Sequence, residues 1–266
     1  MTAVEISRLK AQINAITHLI NNRDDFIHGL VGVIELYSNR APQLGDWIPM
    51  ETLIPTYNLS PIVMHLLESE ISILARNNPH NAFEIANQLW GKNYFELKLL
   101  AITIISSLPV IQSKVIMQTL KTWIDTQEDK IITRTILEKA SSLLQVKKLN
   151  EWILVIKTWL ESEDIEKQRI GISAIQCLIK NGTYKNIPRI FKTIEPLIKN
   201  PPVPLHRELI NVLCDLKDMS ETETVSFLRS IIQSTQNSNS YLLIRRSITG
   251  FSSDTQADLR RLIENQ

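Results

Sequence analysis

A basic residue recurs along this chain at a near-constant interval. Lys98, Arg134, Arg169, Arg207 and Arg245 are spaced 36, 35, 38 and 38 residues apart, and each stands three positions before an apolar residue: Ala101, Leu137, Ile172, Ile210 and Ile248. The surroundings repeat as well. The clearest copy runs from Trp159 through the acidic linker Glu161-Ser162-Glu163-Asp164 to a second apolar helix that Gln168 and Arg169 open and that reaches Leu178. A period of this size built from paired helices is the signature of an α-solenoid, in which no pair buries its apolar stripe alone and neighbours must stack. Only 7 of 266 residues are glycine, against an average near 7%. An all-β fold or a glycine-fingered nucleotide fold would lack its turn residues.

The chain divides by pattern. Residues 3–21 and 24–39 carry apolar positions at helical spacing and predict an N-terminal hairpin. From Ala41 to Pro61 four prolines interrupt any period. This stretch is either a plain connector or a loop that presents Trp47 and Tyr57 to a partner. Paired helices are then predicted over 61–77, 81–90, 94–107, 111–125, 129–145, 149–161, 165–180, 184–198, 204–217, 220–234, 238–250 and 253–264. The expected fold is all-α: a HEAT-like α-solenoid of stacked antiparallel helix pairs with a curved concave face. Residues 1–60 form a helical cap and irregular connector, and 61–266 one continuous repeat array.

Charge and reactive residues exclude several functions. A net charge of +1 gives no global field, so a polyanionic partner has to be drawn by a local stripe. Cys177 and Cys214 lie one repeat apart in apolar helical contexts, where inert buried thiols are expected in a reducing setting. His18, His28, His65, His80 and His206 are scattered without a partner at metal spacing, so no metal and no cofactor are expected. There is no GxGxxG, P-loop, HExxH or GxSxG; Gly171-Ile172-Ser173-Ala174 lacks the second glycine of the last. The first twenty residues read as neither a signal peptide nor a membrane span. A soluble, cytoplasmic protein with no membrane partner is expected; the sequence leaves its oligomeric state open, with a monomer favoured.

The periodic cations admit two readings. In stacked repeats, an arginine opening a second helix pairs with an acid of the adjoining repeat, and Glu163, Asp164 and Asp129 are at hand. Alternatively the cations line the concave surface and track a phosphate backbone, each contact releasing counterions. Lys185, Arg189, Lys192 and Lys199 form a second basic group, either a solvated helix face or an extension of that surface. Trp90, Trp123, Trp152 and Trp159 fall near predicted helix ends, where they pack between repeats or offer a stacking surface.

At Leu89-Trp90 with the helix after it, and again from Thr158 to Ile175, the chain resembles the AlkD-type DNA alkylation repair glycosylases, a HEAT-like repeat family. The resemblance covers about Leu89 to Ile248. It implies binding of double-stranded DNA on the concave face and removal of cationic alkylated bases, with an aspartate that stabilises the charged sugar and two tryptophans flanking it. Arg169 matches the family's DNA-contacting arginine. Counted back from Arg169 without gaps, the family's first tryptophan falls on Lys130 and its aspartate on Arg134, while the second tryptophan falls near Asn211. A cation in place of that carboxylate, at roughly 4 Å and an effective dielectric near 20, is unfavourable by about 4 kcal/mol. Anchoring on Thr122-Trp123-Ile124-Asp125 instead brings Glu128 or Asp129 to the acid's place. The resemblance thus implies a divergent, non-catalytic member that holds double-stranded or branched DNA with Lys98, Lys130, Arg134, Arg169, Arg207 and Arg245. An active alkylpurine DNA glycosylase would need a relocated carboxylate at Asp125, Glu128 or Asp129. A protein-interaction scaffold taking a helix or peptide in its concave groove is the alternative that near-zero net charge favours.

Overall fold

The computed structural model describes residues 6–38, 52, 54–109, 112–182 and 186–266. Among the described residues every regular element is helical, and the chain forms two compact units, Met1–Lys147 and Lys148–Gln266.

The first unit holds α1 (Ile6–Thr17), α2 (Arg23–Leu36), α3 (Pro61–Asn77), α4 (Pro79–Gly91), α5 (Phe95–Ser107), α6 (Ser113–Thr126), α7 (Lys130–Thr135) and α8 (Ser142–Lys147). Local chemistry sets several boundaries. The Ser60 hydroxyl accepts from Val63 N ahead of α3, and Pro61 takes the first helical position, where its missing N–H costs nothing. Asn78 then ends α3 and Pro79 opens α4. Helix α5 is apolar on every side, and it packs against α3, α4 and α7. Two charged side chains, Glu96 and Lys98, are carried into the interior with it.

The single long helix predicted over 129–145 is a correction. It is interrupted by a π-helical turn at Ile136–Ala140 that separates α7 from α8. The Ser141 N–H donates to Ile136 O at 3.0 Å, one residue beyond the α-helical partner. That leaves the Leu137 carbonyl to be satisfied by side chains: Ser141 Oγ donates to it at 2.5 Å and Gln145 Nε2 at 3.1 Å. Both residues are buried, so this closed network replaces what the backbone gives up.

The second unit holds α9 (Leu149–Leu160), α10 (Ile165–Lys180), α11 (Ile187–Lys199), α12 (His206–Met219), α13 (Glu221–Ser234), α14 (Ser238–Ser247) and α15 (Ser253–Glu264). Its helices stack in two layers, as an α-solenoid does: α9, α11, α13 and α15 in one, α10, α12 and α14 in the other. Asp164 caps α10 by accepting from Glu166 N, and Ser220 caps α13 by accepting from Glu223 N. Gly182 follows α10 with φ of 63°, the left-handed position at which glycine ends helices without strain. Gly171 serves a different need. A Cβ there would lie 2.7 Å from Leu160 Cδ2, so its absence lets α10 close on α9. Successive turns are tied together: Ser240 Oγ donates to Ile198 O at 2.8 Å, and Asn237 Nδ2 donates to Asn200 Oδ1.

No helix among the described residues is long and apolar enough to cross a membrane.

Candidate functional site

In the first unit, the turns before α5 and before α7 bring aromatic and charged side chains together. Trp90, from the last turn of α4, stacks on Trp123 of α6 with ring centroids 4.2 Å apart and planes 2° from parallel. The Lys98 ammonium sits 4.0 Å from the Trp90 ring centre and donates to the Trp90 carbonyl at 3.3 Å. With Trp123 against one face and Lys98 over the ring, neither face of Trp90 is left to a ligand. Trp123, Trp152 and Trp159 are buried, and the last two meet edge to face. The tryptophans are therefore packing elements between helices.

Lys98, expected at a phosphate, lies inside: 9% of it is exposed. Burial lowers its pKa, and the Asp129 carboxylate opposes that by drawing it upward. Asp129 is the N-cap of α7 and is 1% exposed. Its Oδ1 accepts from Ile131 N at 2.9 Å and Ile132 N at 3.1 Å, and its Oδ2 accepts from the Thr52 hydroxyl at 2.8 Å. Of the other two acids brought forward for catalysis, Asp125 is bound to Lys121 at 2.8 Å, and Glu128 is exposed in the α6–α7 turn.

Residues 54–60 form an extended strap against this region rather than a free connector. Pro55 O accepts the Phe95 N–H at 2.9 Å, satisfying a donor that the start of α5 leaves open. The buried Glu96 carboxylate accepts from Tyr57 N at 2.9 Å and from Leu59 N at 3.4 Å. Tyr57 stacks on Tyr94 with centroids 4.4 Å apart, and burial, with Tyr94 next, pushes its phenol above the ordinary range. Trp47, the other aromatic of the proline-rich stretch, lies outside the described residues.

The remaining periodic cations have different surroundings. Arg134 is exposed and pairs with Glu138 at 2.7 Å one turn on, while Lys130 is exposed at the first residue of α7. Arg169 is half-buried and forms ion pairs with Glu166 and with Glu208 of the next repeat, and it also donates to Pro204 O at 3.4 Å. The cross-repeat partner is thus Glu208, not Glu163 or Asp164. Arg207 and Arg245 are exposed with no ion pair among the described residues. They do not fall in line: Arg207 is in the first turn of α12 and Arg245 in the last turn of α14. In the second basic group, Arg189 donates to Asn150 Oδ1, Lys199 pairs with Glu195 at 2.7 Å, Lys192 is exposed, and Lys185 lies outside the described residues.

An open groove of about 580 Å³ lies between α3, the end of α5 and the start of α8, lined by Glu68, Arg76, Lys139 and several hydroxyls. Its polar groups serve one another: Glu68 takes Lys139 at 3.0 Å and the Thr103 hydroxyl at 3.2 Å, and Arg76 donates to Ser72 Oγ at 2.6 Å. No group of His, Cys, Asp and Glu among the described residues could hold a metal ion.

Stacked pairs of neighbouring helices define a helical-repeat protein. The family model for the DNA alkylation repair enzyme matches residues 66–246, and the chain belongs to that family. No curated protein and no solved structure matches it.

Proposed function

We propose that this member of the family binds double-stranded or branched DNA through its phosphate backbone and does not excise bases. The state of Asp129 carries the second half of that reading. A carboxylate that stabilises a cationic sugar must face it across a short open distance. Asp129 instead points its oxygens at two backbone N–H groups and Thr52, 1% exposed. Lys130, Arg134, Arg207 and Arg245 support the first half, since all four are exposed, Lys130 at the start of its helix and the other three as the periodic cations of theirs. Lys98 and Arg169 are best read as internal, the one against Trp90 and the other against Glu208.

Binding of this kind is sequence-independent, roughly micromolar, and weakens steeply with salt. Filter binding at rising salt tests it, with Arg207→Glu and Arg245→Glu expected to lower retention and flatten the salt slope. Retention unchanged by both reversals refutes the backbone contacts. Incubation with DNA carrying 7-methylguanine should release no base. Release that disappears on replacing Asp125, Glu128 or Asp129 by Ala would instead establish a glycosylase.

A further inference from the structure

We infer that the Tyr57–Tyr94 pair is a stacking platform for an unpaired nucleobase of single-stranded or branched DNA. This rests on the DNA-binding reading above and assigns it a second contact, made to a base rather than to phosphate. Tyr94 is the one aromatic residue among the described large apolar side chains that stand exposed; 38% of it is open to solvent. Its ring leaves aromatic area open to solvent, whereas Trp123, Trp152 and Trp159 lie inside.

The mount beneath the ring is rigid. Tyr57 backs Tyr94 at 4.4 Å with planes 23° apart. Behind Tyr57, the buried Glu96 holds the backbone N–H groups of Tyr57 and Leu59. Asn58 between them takes φ of 55°, a left-handed turn, and accepts from the Thr56 hydroxyl at 2.6 Å. On the other side Tyr94 N donates to Lys92 O at 2.9 Å, closing a tight turn in which Lys92 and Asn93 are exposed. A platform already fixed in this way loses little entropy when a flat ligand settles on it. Any base offers a π-face, so such a contact tolerates sequence, and the exposed Lys92 adds a positive charge to the same turn. In an intact double helix both faces of each base are covered by its neighbours. The platform therefore selects DNA with an unpaired base.

The experiment compares a forked DNA carrying a single-stranded arm with a fully paired duplex of equal length, for the full chain and for Tyr94→Ala, Tyr94→Phe and Tyr94→Trp. The parent is expected to favour the fork by about tenfold, Tyr94→Ala to lose that preference while keeping its duplex binding, and Phe and Trp to retain it. A parent that binds duplex with steep salt dependence but favours no fork overturns the platform and leaves the backbone reading standing. A parent that binds neither overturns both. A 2-aminopurine in the single-stranded arm gives an independent readout should Tyr94→Ala not fold. Quenching on binding by the parent is expected, and its absence overturns the proposal.

Discussion

The Thr52 hydroxyl donates to Asp129 Oδ2 at 2.8 Å, joining residues 77 positions apart in the chain. The other carboxylate oxygen meanwhile closes the first turn of α7, and the Asp129 charge acts on Lys98 beneath Trp90. One side chain thereby ties the segment ahead of α3 to α7 and offsets a cation buried in α5.

Loss of Asp129 should consequently be felt well beyond a cap. Asp129→Ala removes two backbone acceptor bonds and the Thr52 bond and leaves Lys98 uncompensated, for an expected destabilisation of about 3 kcal/mol. Asp129→Asn keeps an oxygen for capping and should cost less. Urea unfolding of both variants measures the difference.

Lys98 sets the sign of an alkaline effect. Its pKa is lowered in the folded chain by burial, so between that value and the ordinary lysine range the unfolded chain binds more protons. Stability attributable to this residue therefore rises with pH through that window. Thermal melts of the parent and of Lys98→Met across the window should show the rise shrinking in the variant.

Two arginines of the same periodic row should behave differently. Arg134 and Glu138 are both mostly exposed and sit one helical turn apart, a pair worth about 0.3–0.5 kcal/mol. Arg169 links α10 to Glu208 of α12, and Glu208 Oε2 is buried with no hydrogen-bond partner among the described residues. Arg169→Ala leaves that carboxylate half-buried, and a double-mutant cycle with Glu208→Ala should give a coupling of about 1–2 kcal/mol. A coupling no larger than that of Arg134 with Glu138 would remove Arg169 from the packing between repeats.

Gly171 should tolerate no side chain. A Cβ would meet Leu160 Cδ2 at 2.7 Å and the Leu160 backbone nitrogen at 3.1 Å, and backbone cannot yield as a side chain does. Gly171→Ala is expected to cost about 1–3 kcal/mol, in spite of alanine's better helix propensity, and chemical denaturation checks it.

The helix pairs were legible because their apolar stripes are regular: α3 and α10 run over the predicted 61–77 and 165–180. The cation row was legible as a period but not as a surface. A period fixes how far apart residues lie in sequence, whereas their height on each helix depends on where that helix begins. Arg207 is the second residue of α12 and Arg245 the eighth of α14, so one interval places them at opposite ends of neighbouring helices. The inward turn of Lys98 did have a signal. Glu96 and Lys98 are the charged residues in α5, a helix otherwise apolar on all sides, and such a helix has no wet face to receive them. The strap had none, since the Glu96 carboxylate that holds its backbone N–H groups lies 39 and 37 residues away in the chain.

The π turn at Ile136–Ala140 is a one-residue insertion that the helix has absorbed rather than expelled. A residue added to an α-helix rotates everything after it by about 100°; the wide turn takes up that rotation within five residues and hands α8 on. Residue counting suffers where the geometry does not. Arg134 and Arg169 stand on opposite sides of this turn, so any gapless count between them carries the extra residue along.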